Sequence, residues 1–168
     1  MKLITLRAEE TILFKEEMQA AFQHGFQAHY KDDNQWQVLP DKDFYQSLEA
    51  QGAEAYEAID ADGQRVGGAI IAIDAAERRG ELSFLYVKVG VQSKGIGQAI
   101  WKAIETMHPE IEVWETCTPY FDRRNIHFYI NRCGFHAVEF FNEHHPDPHM
   151  PEQFDQQDGL FKFEKRIK

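Results

Sequence analysis

Tyr86-Val87-Lys88-Val89-Gly90-Val91-Gln92-Ser93-Lys94-Gly95-Ile96-Gly97-Gln98-Ala99-Ile100 joins an apolar strand to an amphipathic helix through a glycine-bearing turn. Gly95 and Gly97 allow the backbone to approach a ligand closely. The N–H groups that open the following helix lack intrahelical partners and suit a pyrophosphate. Lys94 adds a cation at the same place. The spacing is neither the G-x-G-x-x-G of a dinucleotide loop nor the G-K-[ST] ending of a triphosphate loop, so the phosphate belongs to another kind of ligand. Taken alone, the Q-x-x-G-x-G string also fits a helix start with nothing bound.

The elements on either side can be read from periodicity. Residues 2–7 predict a first strand, and residues 10–24 a helix with Phe14, Met18, Ala21 and Phe22 on one face. Residues 25–40 read as irregular, and a second helix follows over 42–51. A hairpin is expected from residues 55–60 and 65–74 around the turn Asp60-Ala61-Asp62-Gly63. Residues 81–89 predict a central strand with Leu82, Phe84 and Tyr86 on one face and Leu85, Val87 and Val89 on the other. Beyond the loop, Ile96 to Met107 forms an apolar stripe that ends before Pro109. Strands at 111–116, 136–142 and 160–167 complete the pattern, with a helix over 125–133 closed by Gly134. The order β-α-α-β-β-β-α-β-α-β-β indicates an α/β fold, a mixed sheet with helices on both faces.

Composition narrows the class. The 168 residues are 43% hydrophobic and 13% aromatic, enough for the core of a single domain spanning 1–168. No apolar run reaches membrane-spanning length, and the start lacks a signal-peptide core, so a cytoplasmic location with no membrane partner is expected. Cys117 and Cys133 are too few for a disulfide framework and read as reduced thiols. The net charge of -10 argues against the broad basic surface that nucleic acid requires. Phosphate binding must therefore be local.

Three pieces together resemble the GCN5-related N-acetyltransferases: the strand with its Gln92-Ser93-Lys94-Gly95-Ile96-Gly97 loop, the helix Asn125-Ile126-His127-Phe128-Tyr129-Ile130-Asn131-Arg132-Cys133-Gly134-Phe135, and the element order. The resemblance implies a mostly antiparallel central sheet of about seven strands. It also implies acetyl-coenzyme A as acyl donor, transferred to a primary amine by direct attack in a ternary complex. The cofactor pyrophosphate would rest on Gln92, Ser93, Lys94, Gly95, Ile96, Gly97 and Gln98, with its pantetheine arm along Leu85, Val87 and Val89. Two central strands splay in this family, freeing backbone groups near Leu85 and Val87 to polarise the thioester carbonyl. Asn125 corresponds to an asparagine that can bond the cofactor arm, or it is simply a helix N-cap. Arg123 and Arg124 either reach the 3'-phosphate or coat the surface.

Acyl transfer needs an amine that loses a proton, a carbonyl oxygen that gains charge, and a thiolate that takes up a proton. The resemblance implies Tyr129 as the acid, although the common pattern places this tyrosine four residues before the Gly-Phe glycine. Tyr129 lies five before Gly134, which calls for an extra residue, a bulge, in the helix. Counting back from the loop, Glu81 occupies the position of a catalytic glutamate in histone-type members, and water is the alternative base. Plain readings stand beside both: Tyr129 as a packed aromatic and Glu81 as a solvated residue after a turn. His144, His145, Asp147 and His149 are interleaved with prolines and fix no closed geometry, so no metal is expected. Cys117 with His127 lacks a third group to orient a nucleophile.

The acceptor segments in such proteins correspond to residues 24–43 and 140–159. Their Asp32, Asp33, Glu143, Asp147, Glu152 and Asp155 favour a small cationic amine. A protein amino terminus or lysine is the other acceptor class, and a non-catalytic acyl-coenzyme A sensor is the alternative to an enzyme. An α/β domain with a purely structural loop is a third reading. Trp36, Trp101 and Trp114 fall at packing or loop positions, and the resemblance allows a homodimer through late strands.

Overall fold

The computed structural model describes residues 1–29, 37–91, 95–148 and 159–167. Its strands are β1 (Lys2–Thr5), β2 (Ala53–Ile59), β3 (Arg65–Asp74), β4 (Arg79–Val87), β5 (Val113–Pro119), β6 (His136–Phe141) and β7 (Leu160–Arg166). They form one seven-stranded sheet in the order β1-β2-β3-β4-β5-β7-β6. Every neighbouring pair is antiparallel except β4 with β5. The helices are α1 (Thr11–His29), α2 (Asp41–Leu48), α3 (Ile96–Met107) and α4 (Arg123–His127), which runs into a π-helical turn, Phe128–Arg132. This is the mixed, mostly antiparallel α/β architecture expected above. No described helix is long and apolar enough to cross a membrane.

The two faces carry separate cores. On one, Phe14 and Met18 of α1 and Phe44 of α2 pack on Ile70 and Tyr86. On the other, Ile100, Trp101 and Ile104 of α3 pack with Leu82, Leu85 and Trp114, and Tyr129 joins this layer. Trp101 and Trp114 meet edge to face at 5.1 Å; Trp36 lies outside the described residues.

The β2–β3 hairpin forms where its turn residues require it. The Asp60 carboxylate accepts from the backbone N–H groups of Asp62 and Gln64, each at 2.9 Å, and so presets the reversal. α1 runs past residue 24, where irregular structure was expected. Gly25 costs an exposed helix only about 1 kcal/mol against alanine, and Phe26 beyond it is buried against the Phe121 ring at 5.6 Å.

The face assignment of the central strand is also corrected. Ile70 and Ile71 of β3 pair with Phe84 and Leu82, so Ser83 is an extra residue in β4. Such a bulge reverses the alternation beyond it. Leu82 therefore shares the α3 face with Leu85, while Phe84 and Tyr86 face α1.

An ionic cluster fixes α1 to the sheet. Glu57 of β2 is 0% exposed and lies between Arg7 and Arg65, with contacts of 3.0 and 2.7 Å. Arg65 also makes two hydrogen bonds to Glu17 of α1, at 3.0 and 2.8 Å, and reaches Glu10 at 3.1 Å. The Tyr86 hydroxyl donates to Glu17 at 3.2 Å. Three elements and β4 are thereby set in one register.

Candidate active site at a strand fork

β4 and β5 are joined by three residue pairs, Arg79↔Val113, Gly80↔Trp114 and Glu81↔Glu115. Past Glu81 they part, while β4 runs on to Val87 and β5 to Pro119. The backbone groups of β4 that face this gap have no strand partner there among the described residues, so they can pair with an amide-bearing ligand. At the apex, Thr116 Oγ1 donates to the Leu82 carbonyl at 2.8 Å. Along the gap, Leu85 is buried, Val87 half-buried and Val89 exposed.

The sequence that follows β4 turns at Gly90 and enters α3 at Gly95, both with positive φ, +88° and +79°. Gln92, Ser93 and Lys94 lie outside the described residues. Gly95 is the N-cap of α3, and a Cβ there would meet open space. Gly97 is different, because a Cβ would lie 3.2 Å from the Phe128 ring. Gly97 thus lets the first turn of α3 close on the π-helical turn. Gln98 ties the same contact, its side-chain amide donating to the Arg132 carbonyl at 2.9 Å. The N–H groups of Ile96, Gly97 and Gln98 precede the first α-helical bond, Ala99 N–H to Gly95 C=O at 2.9 Å. Gly95→Ala is expected to cost about 1–2 kcal/mol through φ alone. Gly97→Val is expected to disturb the contact of α3 with the π-helical turn and lower the midpoint of thermal melts.

The extra residue before Gly134 is absorbed as a π turn. The Cys133 N–H donates to the Phe128 carbonyl at 3.0 Å, five residues back, and the Phe135 N–H to Tyr129 at 2.9 Å. Tyr129 is thereby turned into the core, 6% exposed, between the rings of Phe128, Phe135 and Phe163. Burial among these rings pushes its pKa up. Asn125 is not the N-cap of α4: Asp122 caps the helix by accepting from the Asn125 N–H at 3.0 Å. The Asn125 side chain has no hydrogen bond among the described residues and is left for another partner. Arg123 and Arg124 are exposed at the same helix start.

Glu81 lies across the sheet from Tyr129. Its Cα partner Glu115 is held by Arg79 at 3.2 Å and Lys162 at 3.4 Å, and Arg79 also binds Glu164 at 3.2 Å. Glu81 itself has no ion pair among the described residues. Glu81 is exposed as a residue, yet partial desolvation of its carboxyl, then the charge of Glu115 and more weakly that of Asp147, raises its pKa against an opposing pull from Lys162. A carboxylate whose pKa is raised by a like-charged neighbour is a stronger base than an isolated one.

Of the expected site residues, Glu81, Leu85, Val87 and Tyr129 come together at the fork, and Gly95, Ile96, Gly97 and Gln98 at the α3 start. Sequence reasoning missed Thr116 and Glu115. The alternation of Trp114, Thr116 and Thr118 with Glu115 and Cys117 could have sorted β5 into two faces. The remaining constellations have other engagements. Cys117 shares the Glu81 side, where burial and the charges of Asp147, Glu81 and Glu115 push its thiol pKa up to about 12, the reverse of what a nucleophile needs. The His127 ring is bonded by Asn131 at 2.9 Å. His145 contacts Glu139 at 2.7 Å and stacks on Phe141. Among the described residues no three His, Cys, Asp or Glu side chains converge as metal ligands. Asp32, Asp33, His149, Glu152 and Asp155 lie outside the described residues.

Comparison with known proteins gives a consistent picture. A family model described as the acetyltransferase (GNAT) family matches residues 13–135. An uncharacterised protein of Bacillus subtilis (strain 168), YrkN, is 42% identical over 151 residues, covering 89% of this chain and 81% of its own. Among solved structures, a Bacillus subtilis acetyltransferase in complex with CoA superposes with a TM-score of 0.66 at 19% identity, over 99% of this chain and 97% of its own. A GNAT family acetyltransferase from Elizabethkingia anophelis with acetyl-CoA bound gives 0.68 at 14% identity, over 99% and 97%. The ribosomal-protein-S18-alanine N-acetyltransferase of Escherichia coli gives 0.68 at 12% identity, over 99% and 94%.

Proposed function

This chain belongs to the acetyltransferase (GNAT) family, and from that premise we propose that it moves an acetyl group from acetyl-coenzyme A to the primary amine of a small cationic molecule. One observation carries the reading. A carboxylate and a phenol flank the fork from opposite faces of the sheet, Glu81 on the Glu115 side and Tyr129 on the α3 side. An amine and a departing thiolate need that separation, because one gives up a proton where the other takes one up.

In this reading the amine enters on the Glu81 side and yields its proton to that carboxylate. Backbone groups of β4 near Leu85 and Val87 receive the pantetheine amides and stabilise the oxygen that gains charge. Tyr129 donates to the sulfur. The N–H groups at the start of α3, together with Gln92, Ser93 and Lys94, hold the pyrophosphate. Asn125, half-buried and with its side chain not used as the helix cap, bonds the cofactor arm. Glu81, Glu115 and Asp147 act on one another electrostatically, and such a surface attracts a cation.

The test is a thermal titration with acetyl-coenzyme A, followed by thiol release with a panel of diamines, polyamines and amino-acid amides. At about 100 times Kd a ligand specific to the folded state contributes about 2.7 kcal/mol, a rise of roughly 5–10 °C for a chain of this size. No shift would sink the proposal. A shift without turnover on any amine would leave the chain as a sensor. Faster turnover of anionic than of cationic amines would remove the cationic acceptor. Glu115→Gln removes a charge that raises the Glu81 pKa, so the acid limb of kcat/KM is expected to move to lower pH.

A further inference from the structure

A row of ionisable side chains crosses the Glu81 face of the sheet. Glu81 of β4 pairs with Glu115 of β5, Glu115 with Glu164 of β7, and Glu164 with His136 of β6. Arg79 stands two residues before Glu81 on β4, and side chains two apart on a strand share a face. A single Arg79 nitrogen, Nη2, donates to Oε2 of Glu115 and to Oε2 of Glu164, each at 3.2 Å. The same Glu115 oxygen lies 3.4 Å from the Lys162 ammonium, and Arg166 lies 3.9 Å from Glu164. Arg79, Lys162 and Arg166 thus serve the second and third carboxylates of the row. Glu81, the first, has no ion pair among the described residues.

We infer that Arg79 is a positioning residue for Glu81: it fixes the Glu115 carboxylate beside that group and, being engaged there and on Glu164, leaves Glu81 free of a cation. This rests on the reading of Glu81 as the base. A guanidinium on the same face of the same strand would otherwise be the natural partner of Glu81, and a carboxylate paired with an arginine is a weaker base. Glu164 matters for the same reason, because it draws Arg79 across β5 and away from Glu81. The groups around Glu81 are Arg79 on its own strand, Glu115 and Cys117 on β5, Lys162 on β7, and Asp147 beyond β6. Ala72, its neighbour on β3, carries no charge. Desolvation, then Glu115, act to raise the Glu81 pKa, and Lys162 acts to lower it. Taking a cation from Glu115 leaves that negative charge less compensated, so Glu81 should hold its proton to higher pH.

Two readouts on the full chain test this. One is the pH profile of kcat/KM, with the amine that the panel returns or, without one, with water as acceptor. The other is the NMR titration of the Glu81 side-chain carboxyl carbon, assigned by its loss in Glu81→Gln. Arg79→Gln is expected to move the acid limb and the carboxyl midpoint up together by about half a pH unit, the size of one charge acting through partly wetted surface. Glu164→Gln removes a negative charge and frees Arg79 to turn toward Glu81, so both should fall by a similar amount. It reads the same arrangement with Arg79 in place, should Arg79→Gln fail to fold. A variant that merely loosened the sheet would not move the two midpoints in opposite directions. At about 1 M salt both displacements should shrink, since exposed charges are then screened within about 3 Å.

The inference is overturned if the Glu81 midpoint stays in place or falls in Arg79→Gln, or if it stays in place or rises in Glu164→Gln. It is equally overturned if the displacements survive high salt undiminished, since charge would then not be what acts. Full activity of Glu81→Gln with its acid limb intact would remove the base reading. The carboxyl midpoints would then still decide whether Arg79 governs the Glu81 side chain.

Discussion

Arg65→Ala is expected to lower folding stability by about 3–5 kcal/mol, the usual cost of removing one partner from a buried ion pair. Arg65 spans Glu10, Glu17 and Glu57, and Glu57 is wholly enclosed. Without the guanidinium, Arg7 is the remaining cation on Glu57 among the described residues. Lysine would not substitute, since a single ammonium cannot reproduce the two-pronged contact with Glu17. The pH dependence gives an independent check. Burial works to raise the Glu57 pKa, but hydrogen bonds from Arg7 and Arg65 outweigh it and hold the carboxyl below its ordinary value. A group with a lowered folded pKa contributes stability that is complete above its unfolded pKa and is lost as pH falls through the folded one. Removing Arg65 takes away part of that pull. The deficit should be largest near neutrality and narrow below about pH 4, where the unfolded carboxylate is protonated too. Urea unfolding at both pH values measures it. A loss under about 1 kcal/mol at neutral pH would place the cluster with exposed ion pairs.

Glu81→Gln is expected to lower kcat/KM by about 10²- to 10⁴-fold, the usual contribution of a positioned general base. Glutamine keeps the shape and cannot accept a proton, so stabilisation by acetyl-coenzyme A should persist while transfer fails. The acid limb of the pH profile should vanish with it, because the group that must lose its proton is gone. If water were the base, Glu81→Gln would leave both rate and limb nearly unchanged. Rate and limb together therefore separate a catalytic carboxylate from a spectator.

Much of this molecule could be read from local pattern. β3 and α3 begin and end where alternation, the Asp60–Gly63 turn and the apolar stripe place them, because those signals act within a few residues. The extra residue between Tyr129 and Gly134 was visible as a count, and the π turn is its physical form. Ser83 was not visible: nothing in its chemistry distinguishes a bulge from a regular strand position, and the slip exists only against β3. Thr116, Glu115 and Arg79 were missed for the same reason. They matter through partners far off in the sequence: Leu82, Glu81 and Glu164 respectively. Asn125 had two readings, a contact to the cofactor arm or an N-cap, and the second is removed because Asp122 caps the helix.

The β4–β5 seam has a mechanical meaning as well. The sheet is two antiparallel plates, β1 to β4 and β5-β7-β6, stitched by three pairs at one end and open at the other. Such a notched plate concentrates load at the tip of the notch, where the Thr116–Leu82 bond stands as the last stitch. A strand-like molecule lodged in the notch would shift that load onto itself. A bound ligand would then brace the sheet, and pulling the plates apart would demand more force with the notch filled than with it empty.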